Sequence, residues 1–187
     1  RRIGTFVVER IPDGATLQAG IGATPTAVLH QLTGHRDLGI HTEVMTDPMI
    51  DLIESGAVTG VRKVRVPSKV VTTFALGSRR LYDFLDEHLA VDLLPVDWVN
   101  DPRIIAQQPK MVSINATTEV DFLGQCASET VGGRYWSGSG GQADFARLYE
   151  PDEGVHRQTH IAAVGQADVH HLGDAGVLHV GDADGFL

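Results

Sequence analysis

A carboxylate at the end of a strand can act as a nucleophile, as a base or simply as a surface charge. Glu43 holds such a place, between Thr42 and Val44 at the close of the apolar run LGIHTE. For a lone acid the surface role is the commonest. His41, two residues earlier, points the same way if the strand continues; otherwise it is a core histidine beside a solvent-facing acid. Two glycine runs could bring backbone N–H groups against an anion with no side chain intervening. They are Gly20–Ile21–Gly22, ahead of a predicted helix, where a tight strand-to-helix turn is the commoner reading, and GSGGQ at 138–142, which is equally readable as a turn. The GxGxxG spacing of a dinucleotide loop is absent, because Pro25 stands where the third glycine would be, and there is no GKS, GKT or GxSxG. His156 and His160 at i, i+4 and the pair His170–His171 raise a metal site, but no cysteine or ordered carboxylate framework accompanies them, so no metal is expected.

The elements that must position these residues follow an alternating pattern. Apolar residues at 3, 6, 7 and 11 give a helical spacing that Pro12, Asp13 and Gly14 end. A strand over 15–21 runs into Gly22, with Thr24 and Pro25 as expected N-cap and first-turn proline of a helix over TAVLHQL. A second strand, LGIHTE, leads to a helix PMIDLIES capped by Asp47 and closed by Gly56. A third, KVVTTFAL, leads through Gly77 and Ser78 to the amphipathic helix RRLYDFLDEH. Strands alternating with helices at this spacing predict an α/β fold, an open and largely parallel sheet flanked by helices, with ligands beyond the carboxyl ends of the strands. Glu43 falls there. From 91 to 130 the helical pattern fades and runs such as MVSINATTEV read as strands, followed by the glycine-rich loop GGRYWSGSGGQADF.

Composition narrows the class. The 187 residues suffice for one good-sized domain with a real core. A net charge of −9, with 15 Lys and Arg against 24 Asp and Glu, offers no surface for a polyanion, so nucleic acid is not an expected partner. The single cysteine, Cys126, cannot form an internal disulfide, which suits a reducing compartment and sets the cytoplasm as the expectation. No apolar run is long enough to span a bilayer and the start has no secretion signal, so no membrane partner is expected. The chain lacks an initiating methionine and is expected to be a fragment. Residues 150–187 hold five of the nine histidines, no lysine, and seven acids against Arg157 alone, with no sustained period, and no fold is assigned to them.

Six blocks in order, DGATLQAGIGATPTAVL, DLGIHTEVMTD, ALGSRRLYDF, VDWVNDP, MVSINATTEVDFLGQ and GSGGQADF, resemble the acetyl-CoA hydrolase/transferase family over residues 4–146. Its members include CoA-transferases acting on acetyl-, butyryl- and 4-hydroxybutyryl-CoA. The resemblance implies that residues 1–147 are part of the C-terminal catalytic domain of such an enzyme. It also implies that Glu43 is the nucleophile that attacks the acyl-CoA thioester and becomes a glutamyl-CoA thioester. It places Gly20, Ile21, Gly22, Asn100, Gly140 and Gly141 at the coenzyme A and oxyanion site, with Gln142 and Asp144 bracing their loop. CoA is then substrate rather than resident cofactor, with no metal or redox group needed, and the partners are acyl-CoA and small carboxylic acids. Thioester hydrolysis and a CoA-binding fragment without turnover are the alternatives. Residues 148–187 show no such resemblance, an expectation that fits a reading-frame change or divergence. A sheet short of its last strands would expose an edge and favour a homo-oligomer.

Overall fold

The computed structural model describes residues 2–122, 125–146, 159–164 and 177–179. Helix α1 (Arg2–Val8) precedes strand β1 (Thr16–Ala19), helix α2 (Ala23–Leu29), strands β2 (Gly39–Ile40) and β3 (Val44–Met45), and helix α3 (Asp47–Glu54). Strands β4 (Val70–Thr72) and β5 (Phe74–Ala75), helix α4 (Arg79–Leu85) and strand β6 (Val91–Leu93) follow. Two single-turn helices come next, α5 (Val96–Val99) and α6 (Pro102–Ile105), in a region where the sequence's helical pattern fades. Then come β7 (Met111–Thr117), β8 (Glu119–Val120), β9 (Cys126–Ala127), β10 (Thr130–Val131), β11 (Arg134–Tyr135), α7 (Gln142–Ala146), β12 (Thr159–Val164) and β13 (Val177–His179).

The main sheet has the order β13-β12-β7-β1-β2. Every pairing in it is parallel except β12 with β13. Leu17 on β1 faces Ile40 on β2 and Val112 on β7. Past Ile40 the chain stays parallel to β4 through a bridge from His41 to Val71, and β4 in turn pairs with β6. The predicted open, largely parallel sheet with flanking helices is therefore what forms. Strands β12 and β13 lie in the stretch to which the sequence pattern assigns no fold, and β12 runs along the edge of β7 that was expected to be bare.

Side chains that alternate along a strand divide the sheet into two faces. Leu17, Ala19 and Ile114 face α1, α2 and α3, where they bury with Val28, Leu29 and Ile50. On the other face Met111 joins Val71, Val99, Ile105 and Phe145 in a smaller cluster. Strand β1 is thus buried on both faces, as a central parallel strand should be. Two helix starts differ from expectation. Gly22, not Thr24, is the N-cap of α2, since Thr24 is buried inside the helix. Asp47 begins α3 after Thr46, and its carboxylate reaches across to α4 instead, accepting from Ser78 N–H at 2.8 Å and Ser78 Oγ at 2.5 Å. Gly56, at φ 78°, closes α3 in the left-handed conformation its position requires.

Truncating Leu17, which is almost wholly buried between the two strands and the helices, should lower stability. The Leu17→Ala change is expected to cost about 2–5 kcal/mol, read as a lower midpoint in urea unfolding with an unchanged slope.

Candidate functional site

Glu43 sits where the chain changes partners. Up to His41 it runs beside β1 and β4, and from Val44 it pairs with β5, in register with Phe74. At the break the backbone carbonyl of Glu43 accepts from Thr73 N–H at 3.0 Å, Phe74 N–H at 3.1 Å and Thr72 Oγ1 at 3.1 Å. One residue earlier, Thr42 N–H donates to Val71 O at 3.0 Å, and the buried Thr42 hydroxyl lies 3.3 Å from Ala19 O. The backbone is therefore pinned from both sides while the half-buried side chain is left to reach outward.

Its carboxylate meets α7. Gly141 N–H donates to Glu43 Oε2 at 3.0 Å. A Cβ at Gly141 would collide with Glu43 Oε2 and stand 2.5 Å from Asn100 Nδ2, so a side chain there would displace one or both groups from their places. Asn100, at the end of α5, donates through Nδ2 to Asp144 Oδ2 at 3.3 Å, while its Oδ1 is buried without a hydrogen-bond partner among the described residues. Glu43, Asn100, Gly141 and Asp144, drawn from three separate segments, come together in one place.

The other expected residues take no part in that contact. Gly20 follows β1, one residue past the Ala19–Thr42 contact, and its Cα presses on Asn115: an added Cβ would come 2.6 Å from Asn115 Oδ1. Asn115 belongs to a buried polar group, taking 3.0 Å from Gln18 Nε2 and giving 2.9 Å to Ser113 Oγ. The Ile21 side chain is exposed. Gly22 turns at φ 133° into α2. A Cβ at Gly140 would meet open space. His156, His170 and His171 lie outside the described residues, and His160 is placed only as a backbone position of β12 opposite Ser113.

His41 reaches the same α5 and α7 segments as Glu43, meeting Val99 and Phe145 where Glu43 meets Gly141 beside Asn100, but lies deeper. It is wholly buried, with Nε2 2.8 Å from Val99 O and Nδ1 3.3 Å from Gln108 Nε2. Burial pulls its pKa from 6.5 down to about 4, against the opposing pull of the Val99 carbonyl and with a smaller push from the charge of Lys63. Lys63 is itself buried, donating to Ile40 O at 2.9 Å and Lys69 O at 2.8 Å, and burial lowers its pKa to about 7 although the Asp92 carboxylate raises it. Neither contact is legible from sequence, nor is the grip of Thr72 and Thr73 on Glu43. The faint signal is polar pairs inside apolar runs, Thr72–Thr73 in KVVTTFAL and Gln107–Gln108 before β7.

Residues 77–167 match the family model of the acetyl-CoA hydrolase/transferase C-terminal domain. The chain is 48% identical over 147 residues to a succinyl-CoA:acetate/propanoyl-CoA:succinate CoA transferase of Fasciola hepatica, covering 78% of this chain and 31% of that protein. It is 50% identical over 145 residues to a succinyl-CoA:cyclohexane-1-carboxylate CoA transferase of Geobacter metallireducens, covering 78% of this chain and 33% of the relative. The structure of RipA from Yersinia pestis superimposes with a TM-score of 0.73 at 48% identity, over 76% of this chain and 32% of that one. The chain thus spans about a third of the length of the relatives it matches.

The His41 environment gives a pH dependence of definite sign. A histidine whose pKa is depressed on folding leaves stability intact above its unfolded value and withdraws it as pH falls through the folded one. Stability should therefore decline from pH 6.5 to about 4, by about 3 kcal/mol in all for this group. Denaturant melts across that range and the NMR titration of the His41 ring, with a midpoint well below 6, are the measurements that check it.

Proposed function

The chain belongs to the acetyl-CoA hydrolase/transferase family, and from that premise we propose that it carries the attacking glutamate, Glu43, of an acyl-CoA:carboxylate CoA-transferase. The observation that carries this reading is the hydrogen bond from Gly141 N–H to Glu43 Oε2, made beside the Asn100 amide at the carboxyl end of the parallel strands. Ligands of open α/β sheets gather in that position.

The chemistry needs only a positioned carboxylate and donors for the charge that develops. Glu43 attacks the thioester carbonyl of the acyl-CoA, the carbon–sulfur bond breaks, and a mixed anhydride forms as CoA thiolate leaves. The thiolate then attacks the glutamyl carbonyl, the acyl group departs as its carboxylate, and Glu43 is left as a CoA thioester. An acceptor carboxylate runs the two steps in reverse and leaves with CoA. At the glutamyl carbonyl each tetrahedral stage places negative charge on an oxygen, and a backbone N–H already directed at Oε2 stabilises that charge without reorganising. Asn100 Nδ2 supplies a second, uncharged donor next to it, held by Asp144. Gly20, Ile21, Gly22 and Gly140 are assigned to the CoA-binding rim of the same site. In this scheme CoA is substrate, no metal or redox group takes part, and small carboxylic acids are the acceptors. We place the reaction in the cytoplasm, on the single cysteine.

Incubation with acetyl-CoA followed by borohydride and intact-protein mass should reveal a CoA-sized adduct or a reduced glutamyl product in this chain and none in Glu43→Gln. An equal adduct in both would remove Glu43 from its role, and none in the parent would count against this chain acting alone. The Gly141→Ala change should slow adduct formation by about 10²–10³. With labelled acetate present, label should appear in acetyl-CoA; free CoA accumulating in its place would turn the reading to thioester hydrolysis.

A further inference from the structure

Three segments supply the site, and all three rest on one imidazole. His41 is two residues before Glu43. Its Nε2 lies 2.8 Å from the carbonyl of Val99, the residue before Asn100. Its ring packs at 5.7 Å from Trp98 and edge-on at 6.2 Å from Phe145, the residue after Asp144 and four after Gly141. We propose that His41 is a positioning residue, holding the Asn100 loop and the start of α7 to the Glu43 strand so that amide, glycine N–H and carboxylate keep their spacing. This rests on the reading of Glu43 as nucleophile.

The donor assignment follows from the groups present. A carbonyl only accepts, so Nε2 must carry a hydrogen to meet Val99 O. A neutral ring then has Nδ1 as an acceptor, and Gln108 must present its amide nitrogen to it, as found at 3.3 Å. Burial keeps the ring neutral around pH 7, so the clamp has one state there. The remaining charged group nearby, Lys63, is tied to the carbonyls of Ile40 and Lys69. Since the ring is wholly buried it touches neither substrate nor reacting atoms, and it acts through the two loops it ties together. An aliphatic residue could fill the same space but could not fix the rotation of α5 about its own axis, which is what aims Asn100.

The test uses this chain labelled with ¹⁵N. In the parent, ring ¹⁵N signals should show Nε2 protonated and Nδ1 bare at pH 7; the opposite tautomer, or an ordinary titration near 6.5, would overturn the proposal without any variant. In His41→Phe, with fold confirmed by a dispersed amide spectrum, the Asn100 side-chain amide signals, identified by their loss in Asn100→Asp, should move. The rate of adduct formation from acetyl-CoA should fall about tenfold to a hundredfold. His41→Gln, which keeps an N–H able to meet Val99 O, should recover both. A folded His41→Phe with unmoved Asn100 signals and a parental adduct rate would sink the idea. If the parent forms no adduct, it is turnover by this chain alone that fails, and the positioning role is then decided by the tautomer and the Asn100 signals.

Discussion

The candidate site depends on the carbonyl of Glu43 being held by three donors at once. A strand that keeps one neighbour sends successive side chains to opposite faces, and a carboxylate on such a strand would point either into the core or flatly into solvent. Here the chain leaves β1 and β4 after Thr42 and takes up β5 at Val44, and the residue at the change of partner would ordinarily be loose. Thr73 N–H, Phe74 N–H and Thr72 Oγ1 remove that freedom by converging on the Glu43 carbonyl. The turn between β4 and β5 is thereby part of the site, although none of its side chains reaches the carboxylate. Backbone held rigid with side chain left outward is the combination that a nucleophile needs.

The sheet's two faces serve different ends. One is an ordinary apolar core against α1, α2 and α3. The other carries Gln18, Ser113 and Asn115, whose burial would be costly were they not bonded to one another. Their mutual bonds leave Asn115 Oδ1 set against Gly20, so that the end of β1 is held from below by a polar group rather than by a deformable apolar one. Asn100 Oδ1 and Gln108 Oε1 remain buried and unbonded among the described residues, and both belong to residues next to the site. Thr16 Oγ1, on the same face of β1 as Gln18, is likewise buried and unbonded among the described residues, so unmet polar groups occur in the supporting sheet as well as where side chains approach Glu43.

Much of this was legible in the residues. Glycine turns after strands and the helical periods of α3 and α4 announced the α/β order, because local pattern and tertiary role agree there. Glu43 at a strand end, and the glycine run at 138–142, gave the two sides of the contact that forms. What sequence could not supply was the meeting of segments far apart in the chain: His41 with Val99, Thr72 with Glu43, Gly141 with both Glu43 and Asn100. Short helices were missed for a related reason. Val96–Val99 and Pro102–Ile105 are single turns, too brief to show a period, and they are held by what they pack on. Asp47 stands at the expected end of α3 but as its first residue rather than its cap, and its carboxylate turns to Ser78, 31 residues away in sequence, which only the packing of α3 on α4 brings close.

The stretch beyond residue 147 bears on how composition should be weighed. All but one of the seven residues of β7 are buried, and such a strand needs a hydrogen-bonding neighbour on each edge, since an exposed edge would leave its amides and carbonyls to water. β1 meets one edge; the other takes β12, in parallel register from Thr159 opposite Val112 to Val164 opposite Thr117. The family match likewise runs to residue 167 and includes this strand. A parallel strand at such a place reads as a short apolar run, and IAAV at 161–164 is one. Averaged over a segment rich in Gly, Asp and His it vanishes, because a composition window sums over the loops that flank a strand, whereas a sheet selects only the few residues that fit its edge. A strongly buried strand with one free edge is therefore better evidence for a missing neighbour than the composition of the segment that supplies it is against one.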